Sequence, residues 1–130
     1  DGWQRPGDVG VIGMHGRRAV AAAWCRRFDE SEIDSRWADP DVPELAIAVI
    51  DGFRGKGWGR RVLEALLVHA REAGYQSLDL QVGERNASAL ALYRRIGFLE
   101  VGEREGDLLW MRCNLVGATV HRLPVAERAH

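Results

Sequence analysis

The segment Asp51-Gly-Phe-Arg-Gly-Lys-Gly-Trp-Gly59 places glycines between an apolar run and a strongly helical stretch. Without side chains at Gly55, Gly57 and Gly59, several backbone N–H groups can converge on one point. The N-terminus of the following helix adds about half a positive charge. Arg54, Lys56, Arg60 and Arg61 surround the loop. All three contributions favour a polyanion, phosphate above all. The competing reading is a glycine-rich turn with solvated arginines. A Walker loop would need Ser or Thr after the lysine, but Lys56 precedes Gly57, so nucleotide hydrolysis is not expected. In Gly55-Lys-Gly57-Trp-Gly59 the third glycine comes one place too early for a dinucleotide fingerprint.

Other catalytic patterns are missing from the sequence. There is no GxSxG nucleophile elbow and no clustered metal-ligand spacing, so no metal is expected. Cys25 and Cys113 lie far apart in strand-like segments and read as small core residues. His15 at a turn and His69 on a helix stripe read as structural, and Trp24, Trp58 and Trp110 as packing residues.

These residues need elements to hold them. Val9 to Met14 and Arg18 to Phe28 read as a hairpin turning at His15-Gly16-Arg17. Leu45 to Ile50 is apolar at every position, as in a central strand covered on both faces. Val62, Leu66, His69, Ala70 and Ala73 repeat at helical spacing between Trp58 and Ala73, and Gly74 stops the helix. Ser77 to Val82 alternates as a strand. Asn86 caps a helix carrying Ala89, Leu92 and Ile96, which Gly97 ends. Phe98 to Arg104 and Leu108 to Leu115 close the order β-β-β-α-β-α-β-β as a hairpin. Residues 116–130 read as a tail.

At 130 residues the chain supports one domain, 1–130. Apolar residues make up 46% and charged residues 28%, the balance of a folded soluble domain. The net charge of -1 gives no bulk attraction to nucleic acid or anionic lipid, so neither partner is expected. No apolar stretch approaches the roughly 20 residues of a membrane span, and no signal region follows Asp1, which gives a cytoplasmic reading.

Two motifs together resemble the Gcn5-related N-acetyltransferase (GNAT) superfamily. Its Q/R-x-x-G-x-G/A signature is matched by Arg54-Gly55-Lys56-Gly57-Trp58-Gly59, and N-x-x-A-x-x-L-Y-x-x-x-G-F by Asn86, Ala89, Leu92, Tyr93, Gly97 and Phe98. The resemblance runs from about Val9 to Leu115. It implies an α+β fold, a mixed sheet flanked by helices and splayed between the strands at 45–50 and 77–82, here without the usual first strand and two helices. Acetyl-CoA would lie in the gap. The backbone of Ala48, Val49 and Ile50 would pair with pantetheine, the residues from Arg54 to Arg60 would take the pyrophosphate, and Asn86 and Tyr93 would complete the cofactor site.

The function so implied is acetyl transfer from acetyl-CoA to a primary amine by direct attack on the thioester. The acceptor would be a small molecule or a protein amino group, and a homodimer is compatible with the resemblance. A silent acyl-CoA-binding sensor is the alternative. Tyr93 matches the tyrosine that assists the departing thiolate. A phenol near pKa 10 is about 2 kcal/mol too weak to protonate a thiolate of pKa near 8.5, so it would act by hydrogen bonding or through a depressed pKa. Glu44, at the start of the central strand, is the candidate general base or else a solvated loop end. Between Asp29 and Glu44 lie seven acids against Arg36 alone, with Trp37 among them, which suggests a cationic acceptor.

Overall fold

The computed structural model describes residues 8–27, 39 and 41–116. Eight elements follow in the expected order: β1 (Val9–His15), β2 (Arg18–Arg26), β3 (Glu44–Val49), α1 (Trp58–Glu72), β4 (Ser77–Gly83), α2 (Ala87–Ile96), β5 (Leu99–Glu105) and β6 (Leu108–Asn114). The strands make one sheet in the order β1-β2-β3-β4-β6-β5. Among the described strands only β3 and β4 run parallel, and α1 forms the crossover that parallel neighbours require. The expected mixed α+β sheet is therefore present. Most of the acid-rich stretch, including Trp37, and all of the tail but Val116 lie outside the described residues.

The core forms where α1 lies across β1, β2 and β3. Val62, Leu63, Leu66, Leu67 and Ala70 are buried along α1 and meet Val11, Ala21, Ala23 and Leu45 of the strands. Each fully buried Leu or Val contributes about 1.5–3 kcal/mol, so this face anchors the helix and the loop before it. Gly13 sets the approach. A Cβ built there would lie 2.9 Å from Cε3 of Trp58 and 3.2 Å from Cγ1 of Val62. Only a residue without a side chain lets the start of α1 rest on β1. Cys25 and Cys113 are buried as expected, and burial pushes their thiols up to about 12 and about 11.

One expectation needs correcting. β3 is not covered on both faces: Leu45 is buried and Ile47 and Val49 are partly buried, whereas Ala46 and Ala48 are exposed. The reason is that α1 covers one side of the strand, and alternation turns the two alanines to the other.

The sheet splits in the middle. β2 and β3 share six consecutive pairs and β4 and β6 share seven, but β3 and β4 share one, Glu44 with Asp79. The backbone N–H of Asp79 donates to the carbonyl of Pro43 at 2.9 Å just before the strands part. Beside this junction, Arg112 of β6 donates from Nε and Nη2 to Asp79 at 2.6 and 2.9 Å.

No helix among the described residues is long and apolar enough to cross a membrane.

Candidate active site

The strand edge exposed by the split can be identified from hydrogen-bond alternation. The Ile50 N–H donates to Val20 across β2, at 3.0 Å. Because antiparallel bonding alternates, Ala46, Ala48 and Ile50 direct their peptide groups to β2, while Ile47 and Val49 direct theirs into the gap toward β4. Of the expected stretch Ala48, Val49 and Ile50, only Val49 offers gap-facing backbone groups, and Ile47 joins it. The Val49 carbonyl already accepts from Nε of Arg54 at 3.0 Å.

The gap opens into a cleft of about 840 Å³. Ile47, Ala48 and Val49 form one wall, the loop and start of α1 contribute Arg54, Gly55, Gly57, Gly59 and Arg60, and α2 supplies Asn86, Ser88, Ala89, Leu92, Tyr93 and Arg95. The loop needs its glycines: Gly55 and Gly57 have φ of +74° and +89°, a region costly to residues with a Cβ. Gly57 is the N-cap of α1, which has no capping side chain and no acidic residue in its first turn. The donors at that helix end are thus left to an outside anion. Arg54 lies 3.3 Å from Asp51, and Nε of Arg60 donates to the buried Glu64 at 3.1 Å. Both guanidiniums are tethered at the mouth of the cleft.

Lys56 and Trp58 do not line the cleft. The Lys56 ammonium lies 6.0 Å from the Phe53 ring centroid, and Trp58 is 9% exposed, packed against Gly13 with Arg61 over its ring at 4.7 Å. Trp58 behaves as the packing residue that its chemistry suggested.

On α2 the Asn86 side chain caps the helix by accepting from the N–H of Ala89 at 3.2 Å. At the far end the Tyr93 carbonyl accepts from Gly97 and Phe98, at 3.1 and 2.9 Å. The Tyr93 ring lies 5.8 Å from that of the fully buried Phe98. Backbone and ring together fix the phenol on the cleft wall. Burial raises its pKa above the ordinary value, so the depressed phenol considered from sequence is not found. A raised phenol remains a hydrogen-bond donor.

Glu44 stands at the junction itself, half-buried, with Oε2 accepting from Nε2 of Gln81 at 2.9 Å. Burial raises its carboxyl, against the opposing pull of Gln81. That shift moves a carboxylate toward the range useful to a base. Asp79 is raised by burial against the hydrogen bonds of Arg112, and its own hydrogen bond is the leading cause that raises Arg112. Sequence reading missed Ile47, Ser88 and Arg95 as cleft residues and Gln81 as the partner of Glu44. Ala89 and Leu92 carried the visible signal, their spacing on one stripe of α2, but they line the cleft as well as pack.

The family model described as Acetyltransferase (GNAT) family matches residues 2–98. The mycothiol acetyltransferase of Propionibacterium freudenreichii subsp. shermanii is 32% identical over 104 residues, which cover 80% of this chain and 31% of that protein. The chain spans less than half the length of the first curated relatives it matches. Among solved structures, the ribosomal-protein-S18-alanine N-acetyltransferase of Escherichia coli matches with a TM-score of 0.71 at 25% identity, over 88% of this chain and 74% of that one. The yncA protein of Salmonella typhimurium, solved with its cofactor acetyl-CoA, shares the fold with a TM-score of 0.66 at 22% identity, over 82% of this chain and 64% of that one.

Proposed function

This chain belongs to the acetyltransferase (GNAT) family, and from that premise we propose that it transfers an acetyl group from acetyl-CoA to a primary amine of a small molecule or a protein. The observation that carries the reading is the split beside the glycine loop: a free edge of β3, an uncapped helix start and Tyr93 all border one cleft. An extended amide-bearing arm fits a free strand edge, and a diphosphate fits the loop.

The bound thioester supplies an acetyl carbonyl, which a neutral amine attacks as the carbon–sulfur bond breaks and the coenzyme leaves as a thiolate. The chain's residues then have three tasks. The peptide groups of Ile47 and Val49 align the arm. Glu44, through a water, takes the proton that the amine nitrogen loses. The Tyr93 hydroxyl donates a hydrogen bond where thiolate charge develops, the kind of preorganised contact that lowers the barrier. The reaction as written draws on no metal.

The test is coenzyme A release across a panel of small primary amines and amino-terminal peptides, with the acetylated product identified by mass spectrometry. Release that depends on an amine supports the transferase. Tight binding of acetyl-CoA without release to any amine would favour the acyl-CoA-binding module.

A further inference from the structure

Three arginines line the cleft, and they differ in one respect. Arg54 is held by Asp51 and the Val49 carbonyl, and Arg60 by Glu64. Arg95, on the opposite wall, is exposed and has no carboxylate or hydrogen-bond partner among the described residues. It shares the stripe of Ser88 and Leu92, so the same helix face that borders the cleft carries it. Its neighbour Arg94 instead bears on Glu100, whose carboxyl it helps to lower.

A cation left unpaired on the wall of an anion cleft needs an anion that the glycine loop does not already take. Coenzyme A has two separate phosphate centres: the diphosphate and a 3′-phosphate on the ribose. The loop amides with Arg54 and Arg60 suit the first. Resting on the acetyl-CoA reading above, we propose that Arg95 binds the 3′-phosphate and gives this chain its preference for coenzyme A over the form lacking that group. A guanidinium pairs with a phosphate through two parallel hydrogen bonds, which a lysine in its place would not reproduce. The site is open to solvent, so the preference is moderate and falls with salt.

The experiment measures the affinities of coenzyme A and dephospho-coenzyme A by titration calorimetry at low and moderate salt, for the unaltered chain, Arg95→Gln and Arg95→Lys. The unaltered chain should prefer coenzyme A by about five- to tenfold, as expected for a partly exposed charge-assisted pair. Arg95→Gln should bring coenzyme A to the affinity of the dephospho form while moving the latter less than twofold, and Arg95→Lys should keep part of the preference. Undiminished preference in Arg95→Gln, equal weakening toward both ligands, or no preference in the unaltered chain would each overturn the clamp. If neither compound binds at millimolar concentration, the cofactor reading fails and takes the clamp with it.

Discussion

Glu44 and Asp79 face each other across the one registered pair that joins β3 to β4. Two carboxylates therefore stand at the fork of the sheet, but their surroundings differ. Asp79 is 1% exposed and bound twice by Arg112, whereas Glu44 is half-buried, accepts a hydrogen bond from the neutral amide of Gln81 and feels Arg26, opposite it on β2, through space. Asp79 is tied into the framework by a bidentate ion pair, and Glu44 is held by a single hydrogen bond to an amide.

For Glu44 the pH dependence has a definite sign. A base works deprotonated, and burial raises this carboxyl above its ordinary 4.5, so the acidic limb of the rate should have its midpoint above that value. Glu44→Gln should remove the limb and lower turnover by about 10²-fold. A pH profile of kcat/KM checks this, and an unchanged limb would assign the proton transfer elsewhere. The same raised pKa makes the folded state the tighter proton binder, so this group's stabilising contribution is full below the unfolded pKa and fades as pH rises through the folded one.

Tyr93→Phe should lower kcat by about 10²-fold with little change in coenzyme A affinity, since the lost hydroxyl acts where charge develops. Burial raises the phenol above 10, so Tyr93 itself should impose no loss of rate below that pH. Stopped-time assays with paired binding measurements separate the two quantities; a variant as fast as the parent would leave Tyr93 a packing residue.

At one hundred times its dissociation constant acetyl-CoA should stabilise the fold by about 2.7 kcal/mol, read as a rise in Tm. Because Gly57 sits at φ +89°, both Gly57→Ala and Gly57→Asp should cost about 1–2 kcal/mol without ligand. Only the aspartate, placing negative charge at the anion site, should also abolish the ligand-induced rise. A shift of normal size in Gly57→Asp would place the anion elsewhere.

Arg112→Ala should destabilise by about 3–5 kcal/mol, because it leaves the Asp79 charge buried and unpaired. Asp79→Asn should cost less, since the partly exposed Arg112 can turn to water. Urea denaturation of both variants checks the order, and equal costs would show that burial does not set it.

Gly13→Ala should cost about 1–3 kcal/mol, as overpacking does, by pushing Trp58 off β1. Since Trp58 begins α1, the affinity for acetyl-CoA should fall as well. Thermal melts and titrations report the two effects separately.

Local signals account for what the sequence reveals. The α1 stripe, the Asn86 cap and the closing hairpin each occupy a short run of residues, and all three stand where they are expected. The glycine loop is legible for the same reason: its amides and its helix start are neighbours along the chain. What is hidden depends on pairing between distant segments. Gly13 looks like an ordinary strand glycine until Trp58 lies over it, and Asp79 looks like a solvent-facing residue until β6 brings Arg112 beside it. The apolar run of β3 suggests cover on both faces because composition cannot say that Ala46 and Ala48 remain exposed. Arg95 is one of many arginines in the sequence, and only the placement of α2 shows that it borders the cleft with no partner among the described residues.

The gap-facing peptide groups of Ile47 and Val49 make the middle of this sheet an isotope reporter. Amide protons deep in a sheet ordinarily exchange with deuterated water only when the structure opens, but among the described residues no strand pairs with these two on the gap side. They should exchange at the speed of a loop while the amides of Ala48 and Ile50, one residue away along the chain and directed at β2, stay slow. Anything that docks along that edge would slow Ile47 and Val49 alone, so a residue-resolved deuterium profile of β3 would record occupancy of the cleft as an alternation along six residues of chain.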